Sequence, residues 1–243
     1  MCEKPNSVDV ITAATVIEKA QSRPDLKFLV PFTRRYDKSY CEAKDLIESG
    51  ELGEIHAVET WMSDVQDPAG HFVAFAAHSC GIFLDMGIYH RVTAIGQRAV
   101  YTDLAAFGDA DNAWGFVEFT NGKVWTTHLA RTATNGLEDS TRVCGTKGHS
   151  IVSSASIVEI RDKHGVRKQT VPDAFKLFPQ TYETNITGFT NAILFDNPLT
   201  SLAEDAVEAG KICTALQHSY RAGQSVYFND EGFPILNDGT PTP

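Results

Sequence analysis

The sequence predicts an α+β fold, an open and mainly antiparallel β-sheet with helices on one face. Three observations carry this. Short runs of alternating apolar and polar residues follow one another from about 100 to 171, the pattern of strands joined by hairpins rather than by helical crossovers. Asn121-Gly122 sits between two such runs and is the strongest hairpin signal in the chain. Segments with helical spacing and capping residues lie on either side of the β-rich stretch, and helices segregated from consecutive strands indicate an α+β layer architecture.

In chain order, residues 7–21 carry Val10, Ala14, Ile17 and Ala20 at helical spacing, with Ser7 and Asp9 as start signals and Pro24 as a stop. Residues 26–32 read as a short buried strand. A helix over 37–49 has Asp37 or Ser39 as its cap and Gly50 where a left-handed terminus is wanted. Residues 55–62 form a strand, and 66–79 a polar, irregular stretch marked by Asp67-Pro68-Ala69-Gly70. A helix begins near Cys80. Strands are expected at 100–107, 113–120, 123–131, 141–145, 150–153, 157–161 and 166–171, with His164-Gly165 as a second tight turn. Two helices, 182–195 and 202–221, close the fold. The second opens on Ser201-Leu202-Ala203-Glu204, the pattern of a capping box, and ends before Gly223.

The bulk numbers narrow the function classes. At 243 residues and 42% hydrophobic content the chain can bury a sizeable core. Its 21 basic and 31 acidic residues leave a net charge of -10, the wrong sign for nucleic acid or an anionic membrane surface. No apolar run approaches the ~20 residues that span a bilayer, and no secretory leader pattern opens the chain. Five scattered cysteines, Cys2, Cys41, Cys80, Cys144 and Cys213, suggest neither a disulfide framework nor a metal site. A cytoplasmic protein without a structural metal is the expectation. His71 and His78 near Cys80 lack metal-ligand spacing.

Three segments carry chemistry. Glu3-Lys4-Pro5 places an amine near the amino terminus. Phe32-Thr33-Arg34-Arg35-Tyr36-Asp37 puts a basic pair just after a strand, and Gly81-Ile82-Phe83-Leu84-Asp85-Met86-Gly87-Ile88-Tyr89 puts a carboxylate and a phenol four residues apart. On a helix Asp85 and Tyr89 share a face, one turn apart. They are either an acid/base pair or an ordinary acidic residue and a packing tyrosine. His90 lies about 100° further round. Arg34 and Arg35 either fork onto a substrate carboxylate or hydroxyl pair or form salt bridges, for Arg35 to Asp37 or Asp45.

These segments, in this order, resemble the Gfo/Idh/MocA family of NAD(P)-dependent sugar and polyol dehydrogenases, over Cys2 to about Phe228. The resemblance implies that residues 1–36 are the remnant of a Rossmann dinucleotide-binding domain, its last helix and strand. Residues 37–228 are then the substrate domain and 229–243 a loosely held tail. The chain reads as if it begins inside a longer protein, since no Gly-x-Gly-x-x-Gly occurs in it. Lys4, Asp85, Tyr89 and His90 are the implied proton-transfer group, with Lys4 binding the reacting hydroxyl. Most members carry histidine at the position of Tyr89 and aspartate at that of His90. Arg131, Asn135, Gly136 and Cys144-Gly145-Thr146-Lys147-Gly148 also match the family's substrate domain. Substrate-lining candidates are Arg34, Arg35, His128, Arg131 and Tyr182, with Trp125 a weaker one. Leu137 and Ser140 stand where sugar-handling members commonly carry tyrosine and arginine, which favours a less polar substrate.

The expected function is oxidation of a secondary alcohol, or reduction of a ketone, of a small organic molecule with NAD or NADP. The alternative is a cofactor-independent isomerase, lyase or cyclase built on the substrate domain. An uncovered sheet face implies a homo-oligomer, most simply a dimer.

Overall fold

The computed structural model describes all residues except 5–6, 8–9, 77–90, 154–158, 169–170, 230 and 237–243. Its centre is a six-stranded sheet in the order β2-β3-β4-β1-β5-β6. The strands are β1 (Ile55–Val65), β2 (Arg91–Gln97), β3 (Asn112–Glu118), β4 (Val124–Ala133), β5 (Glu138–Gly145) and β6 (His149–Ser153). All neighbours are antiparallel except β1 and β4, which run parallel with Met62 opposite Leu129. A separate two-stranded ribbon pairs β7 (Glu159–Asp162) with β8 (Gly165–Lys168).

Strand alternation divides the sheet into two faces. The inner face presents Met62, Val92, Ala94, Ala113, Val117, Trp125 and Leu129, and these pack against Ile212, Cys213, Ala215 and Leu216 of helix α6 (Ala203–Ala222). Helix α1 (Val10–Gln21) lies against α6 in turn. The opposite face is open: Ile95, Phe116, Ile151 and Trp61 are all largely exposed there. One-sided helices on an open, mainly antiparallel sheet are the architecture that the hairpin pattern predicts.

Local signals explain most boundaries. Asp37 caps α2 (Lys38–Glu48), its carboxylate accepting the N–H groups of Ser39 and Tyr40 at 3.0 and 3.2 Å. At Gly145, between β5 and β6, a Cβ would meet the Leu52 carbonyl oxygen at 2.0 Å, so only glycine fits the turn. The remaining helices are α3 (His71–Ala76), α4 (Ala174–Leu177) and α5 (Thr181–Phe195).

Five expectations are corrected. Residues 26–32 form no strand ladder. Besides turn bonds at the two ends, from Leu26 N–H to the Arg23 carbonyl and from Arg35 N–H to the Phe32 carbonyl, the segment pairs with Cys2, whose N–H donates to the Leu29 carbonyl at 2.9 Å. Residues 100–107 are not a strand but a 3₁₀ turn over Thr102–Phe107, entered where Asp111 draws the N–H groups of Ala99, Val100 and Tyr101 onto its carboxylate. The 66–79 stretch contains α3. The Asn121-Gly122 hairpin holds, yet only Gly122 has positive φ, at 78°. Phe119 N–H meets the Lys123 carbonyl and Gly122 N–H the Phe119 carbonyl, a three-residue loop closed by a left-handed glycine instead of a type I′ turn. At α6 the reciprocal capping bond comes from Asp205, which accepts the Leu202 N–H at 2.8 Å, not from Glu204.

Candidate functional site

The site is built where residues 27–32 run past the edge of the inner face. Pairing of Cys2 with Leu29 brings the amino-terminal segment, and with it Lys4, alongside residues 27–32. The chain then turns through a 3₁₀ helix, Thr33–Tyr36, and enters α2 at the Asp37 cap. That tight turn splits the arginine pair. Arg35 points towards α6, its Nη1 donating to Asp205 at 2.6 Å and to the Thr200 carbonyl at 3.2 Å. Arg34 points to the sheet.

There Arg34 meets Asp139, which is only 5% exposed. Nη2 of Arg34 donates to one carboxylate oxygen at 2.5 Å and also lies against the sulfur of Met62. Met62 and Asp139 are register partners on β1 and β5. Tyr40 lies one turn into α2 and closes the group. Its hydroxyl donates to the second Asp139 oxygen at 2.8 Å, lies 2.9 Å from Thr141 Oγ1 and accepts from Arg34 Nε at 3.3 Å.

The electrostatics follow from the packing. Burial opposes the Arg34 charge, but Asp139 and Tyr40 outweigh it and hold the guanidinium above its ordinary range. Burial pushes the Tyr40 phenol up to about 12, Asp139 adding to the effect and Arg34 opposing it. The phenol is therefore protonated at neutral pH and serves as donor to Asp139. Nη1 of Arg34 makes no hydrogen bond among the described residues, and about a third of the side chain, 35%, is exposed. A positive edge on an otherwise satisfied cluster can donate to a hydroxyl or carbonyl oxygen of a bound molecule.

The other predicted residues are dispersed. Asp85, Tyr89 and His90 lie outside the described residues. Lys4 is exposed. Arg131 lies on β4, half-buried and two residues beyond Leu129, its N–H donating to the Asp111 carbonyl. Tyr182 stands in the first turn of α5, its ring 5.1 Å from that of Phe175. Trp125 is a core residue, its indole N–H donating to Thr60 Oγ1 at 2.9 Å.

His128 is on the face opposite Arg34, between the rings of Trp61 at 3.9 Å and Trp114 at 4.5 Å. Alternation along β4 puts it there, since Leu129 next to it is in the core. Desolvation lowers its pKa, and its Nδ1 has no hydrogen-bond partner among the described residues. Among the described residues no group of histidine, cysteine, aspartate or glutamate could hold a metal ion. No helix of the described residues is long and apolar enough to cross a membrane.

Tyr40, Asp139 and Thr141 are not singled out by the sequence. A usable signal exists in retrospect: Asp139 occupies the inward phase of an alternating strand, Asp139, Thr141, Val143, where an apolar residue is expected. Asn185 is a further one, buried on the face of α5 that packs against the Arg34 turn, its Oδ1 without a hydrogen-bond partner among the described residues.

Comparison with known proteins agrees with this architecture. Residues 40–151 match the model of the GFO/IDH/MocA C-terminal domain. The chain is 28% identical over 242 residues to an uncharacterized oxidoreductase, YrbE, of Bacillus subtilis, covering 93% of this chain and 70% of the relative. It is 24% identical over 239 residues to the scyllo-inositol 2-dehydrogenase (NAD(+)) of the same organism, covering 92% and 69%. A crystal structure of scyllo-inositol dehydrogenase from Lactobacillus casei with bound NAD(H) and scyllo-inositol superposes with a TM-score of 0.84 at 26% identity, over 93% of this chain and 72% of that one. An inner-face arginine cluster on a one-sided open sheet, the matched domain and relatives along nearly the whole chain point the same way: the chain is similar to proteins of the Gfo/Idh/MocA family, whose C-terminal domain model matches residues 40–151.

Proposed function

We propose that the chain forms the substrate side of an NAD(P)-dependent oxidoreductase that oxidises a secondary alcohol of a small cyclic polyol of the inositol type. The observation that carries the reading is the Arg34 cluster. It presents one guanidinium edge unsatisfied among the described residues, on the inner face of a fold whose relatives include inositol dehydrogenases. A polar rim of Arg34, Asp139, Tyr40 and Thr141 favours a hydroxylated substrate over the less polar one suggested by Leu137 and Ser140. In this reading Arg34 holds a substrate hydroxyl, and Lys4 stabilises the alkoxide that develops at the reacting carbon. Lys4 and Tyr89, the latter on the motif the family uses, handle the hydroxyl proton, and Asp85 orients them. The isomerase or lyase alternative is not favoured, because the named relatives are dehydrogenases.

The dinucleotide itself does not fit the residues in hand. A pyrophosphate site needs a glycine turn feeding a helix amino terminus, and none is found among the described residues or in the sequence. We therefore assign residues 1–36 to the end of a dinucleotide-binding lobe and 37–228 to the substrate domain, and derive no step through the cofactor. The apolar open face of the sheet is assigned to self-association as a dimer.

The reading is tested by titrating myo- and scyllo-inositol calorimetrically into the chain, with NAD(P)+ reduction followed in parallel at millimolar dinucleotide. Saturable binding of an inositol, weakened at least tenfold in Arg34→Gln, is expected. No inositol binding by the folded chain, or conversion of a polyol without reduction of the dinucleotide, refutes it.

A further inference from the structure

The Arg34 guanidinium has five N–H donors in a planar fork, and how they are shared decides what it can recognise. Both ways of gripping a carboxylate with two parallel bonds, end-on through Nη1 and Nη2 or side-on through Nε and Nη2, require Nη2. In this protein Nη2 is consumed by Asp139 and Met62, and Nε is turned to the Tyr40 hydroxyl. Nη1 alone remains, able to hold single oxygen atoms but not to fork. The buried Asp139 carboxylate also supplies a negative charge 2.5 Å from the guanidinium, so the pair presents no net charge to a ligand. Asp139 cannot swing away: Tyr40 holds its second oxygen at 2.8 Å, and Tyr40 is placed by the Asp37 cap at the start of α2.

We propose that Asp139 is a specificity-determining residue, which by occupying and neutralising Arg34 makes the site select uncharged hydroxylated substrates over those bearing a carboxylate. This rests on the reading of Arg34 as a substrate-binding residue. It adds that the discriminating element is the internal anion, an instance of selection against a competing ligand. Tyr40 is its positioning residue, holding the carboxylate without changing its charge.

The probes are myo-inositol, neutral, and D-glucuronate, a hydroxylated ring bearing one carboxylate, titrated calorimetrically into the full chain without dinucleotide. The wild type binds myo-inositol more tightly than glucuronate. Asp139→Asn, which keeps the shape and removes the charge, shifts the affinity ratio towards glucuronate by about tenfold or more. Adding Arg34→Gln abolishes that gain, and Asp139→Glu restores the wild-type order. Tyr40→Phe weakens both probes together and leaves the ratio within about threefold. The proposal is overturned if folded Asp139→Asn keeps the wild-type ratio, or if the wild type prefers glucuronate, a measurement that stands even where Asp139→Asn does not fold. Because no dinucleotide is present, a lack of NAD(P)-dependent oxidation counts against the dehydrogenase reading alone. Oxidation of inositol with an unchanged ratio in Asp139→Asn counts against Asp139 alone.

Discussion

Asp111→Ala tests a buried carboxylate that accepts four hydrogen bonds. Asp111 is fully buried, and its carboxylate accepts the N–H groups of Ala99 at 2.8 Å, Val100 at 2.7 Å and Tyr101 at 2.7 Å, together with Asn112 Nδ2 at 3.0 Å. Truncation leaves those donors without their anion. Each such loss costs about 1–3 kcal/mol when burial is complete. Ala99 and Val100 are exposed residues, so water replaces part of the loss, and neighbouring losses do not add. A total of about 3 kcal/mol follows, on the order of 6–12 °C in Tm for a domain of this size. The effect spreads along a specific path. Tyr101 uses its hydroxyl to accept the Asp67 N–H at 2.7 Å and to donate to the Asp67 carbonyl at 3.0 Å, so the loop leading into α3 loosens as well. Thermal and urea melts measure the first effect, and amide exchange at Ala69 and Gly70 the second. Asp111→Asn is nearly as destabilising, because its amide turns a donor towards donors. The pH sign is fixed too. Hydrogen bonds hold the folded pKa below its ordinary value against the opposing effect of burial. The stabilisation is thus complete above the unfolded value near 3.9 and is lost as pH falls from there through the folded pKa. A loss below about 1 kcal/mol in both variants refutes the reasoning.

Three further outcomes are expected. His128 has a depressed pKa through desolvation, so its contribution is present above about pH 6.5 and lost as pH falls through the folded value; His128→Gln flattens the fall of Tm between about pH 7 and 5, and an unchanged slope contradicts this. The purified chain binds NAD(P) only above the millimolar range, since it contains no glycine-rich phosphate turn, and sub-millimolar binding by fluorescence titration overturns that. Sedimentation at micromolar concentration finds a dimer that Ile95→Glu with Phe116→Glu converts to monomer, these side chains being 62% and 54% exposed on the open sheet face. A monomeric wild type ends that assignment.

What the sequence by itself determined were the features governed by neighbours along the chain. The Asp37 cap, the left-handed Gly122 and Gly223 and the alternation of the hairpin strands all depend on a few consecutive residues. The motif order also carried the resemblance to the Gfo/Idh/MocA family, whose C-terminal domain model matches residues 40–151. Tertiary structure decided the rest. Residues 100–107 alternate like a strand, but the Asp111 carboxylate takes the N–H groups of Ala99, Val100 and Tyr101 at its start, a stronger acceptor than a ladder that would have to be found elsewhere. Arg34 and Arg35 are neighbours in sequence, and only the 3₁₀ turn at Thr33–Tyr36 sends one to Asp139 and the other to Asp205. Tyr40 and Asp139 lie 99 residues apart and share a hydrogen bond. No local pattern encodes that pairing, because it is set by which strand lies beside β1 and in what register. The opposite fates of His128 and Leu129 follow from the same cause: a strand's period of two puts adjacent residues on opposite faces, and the packing of α6 decides which face becomes the core.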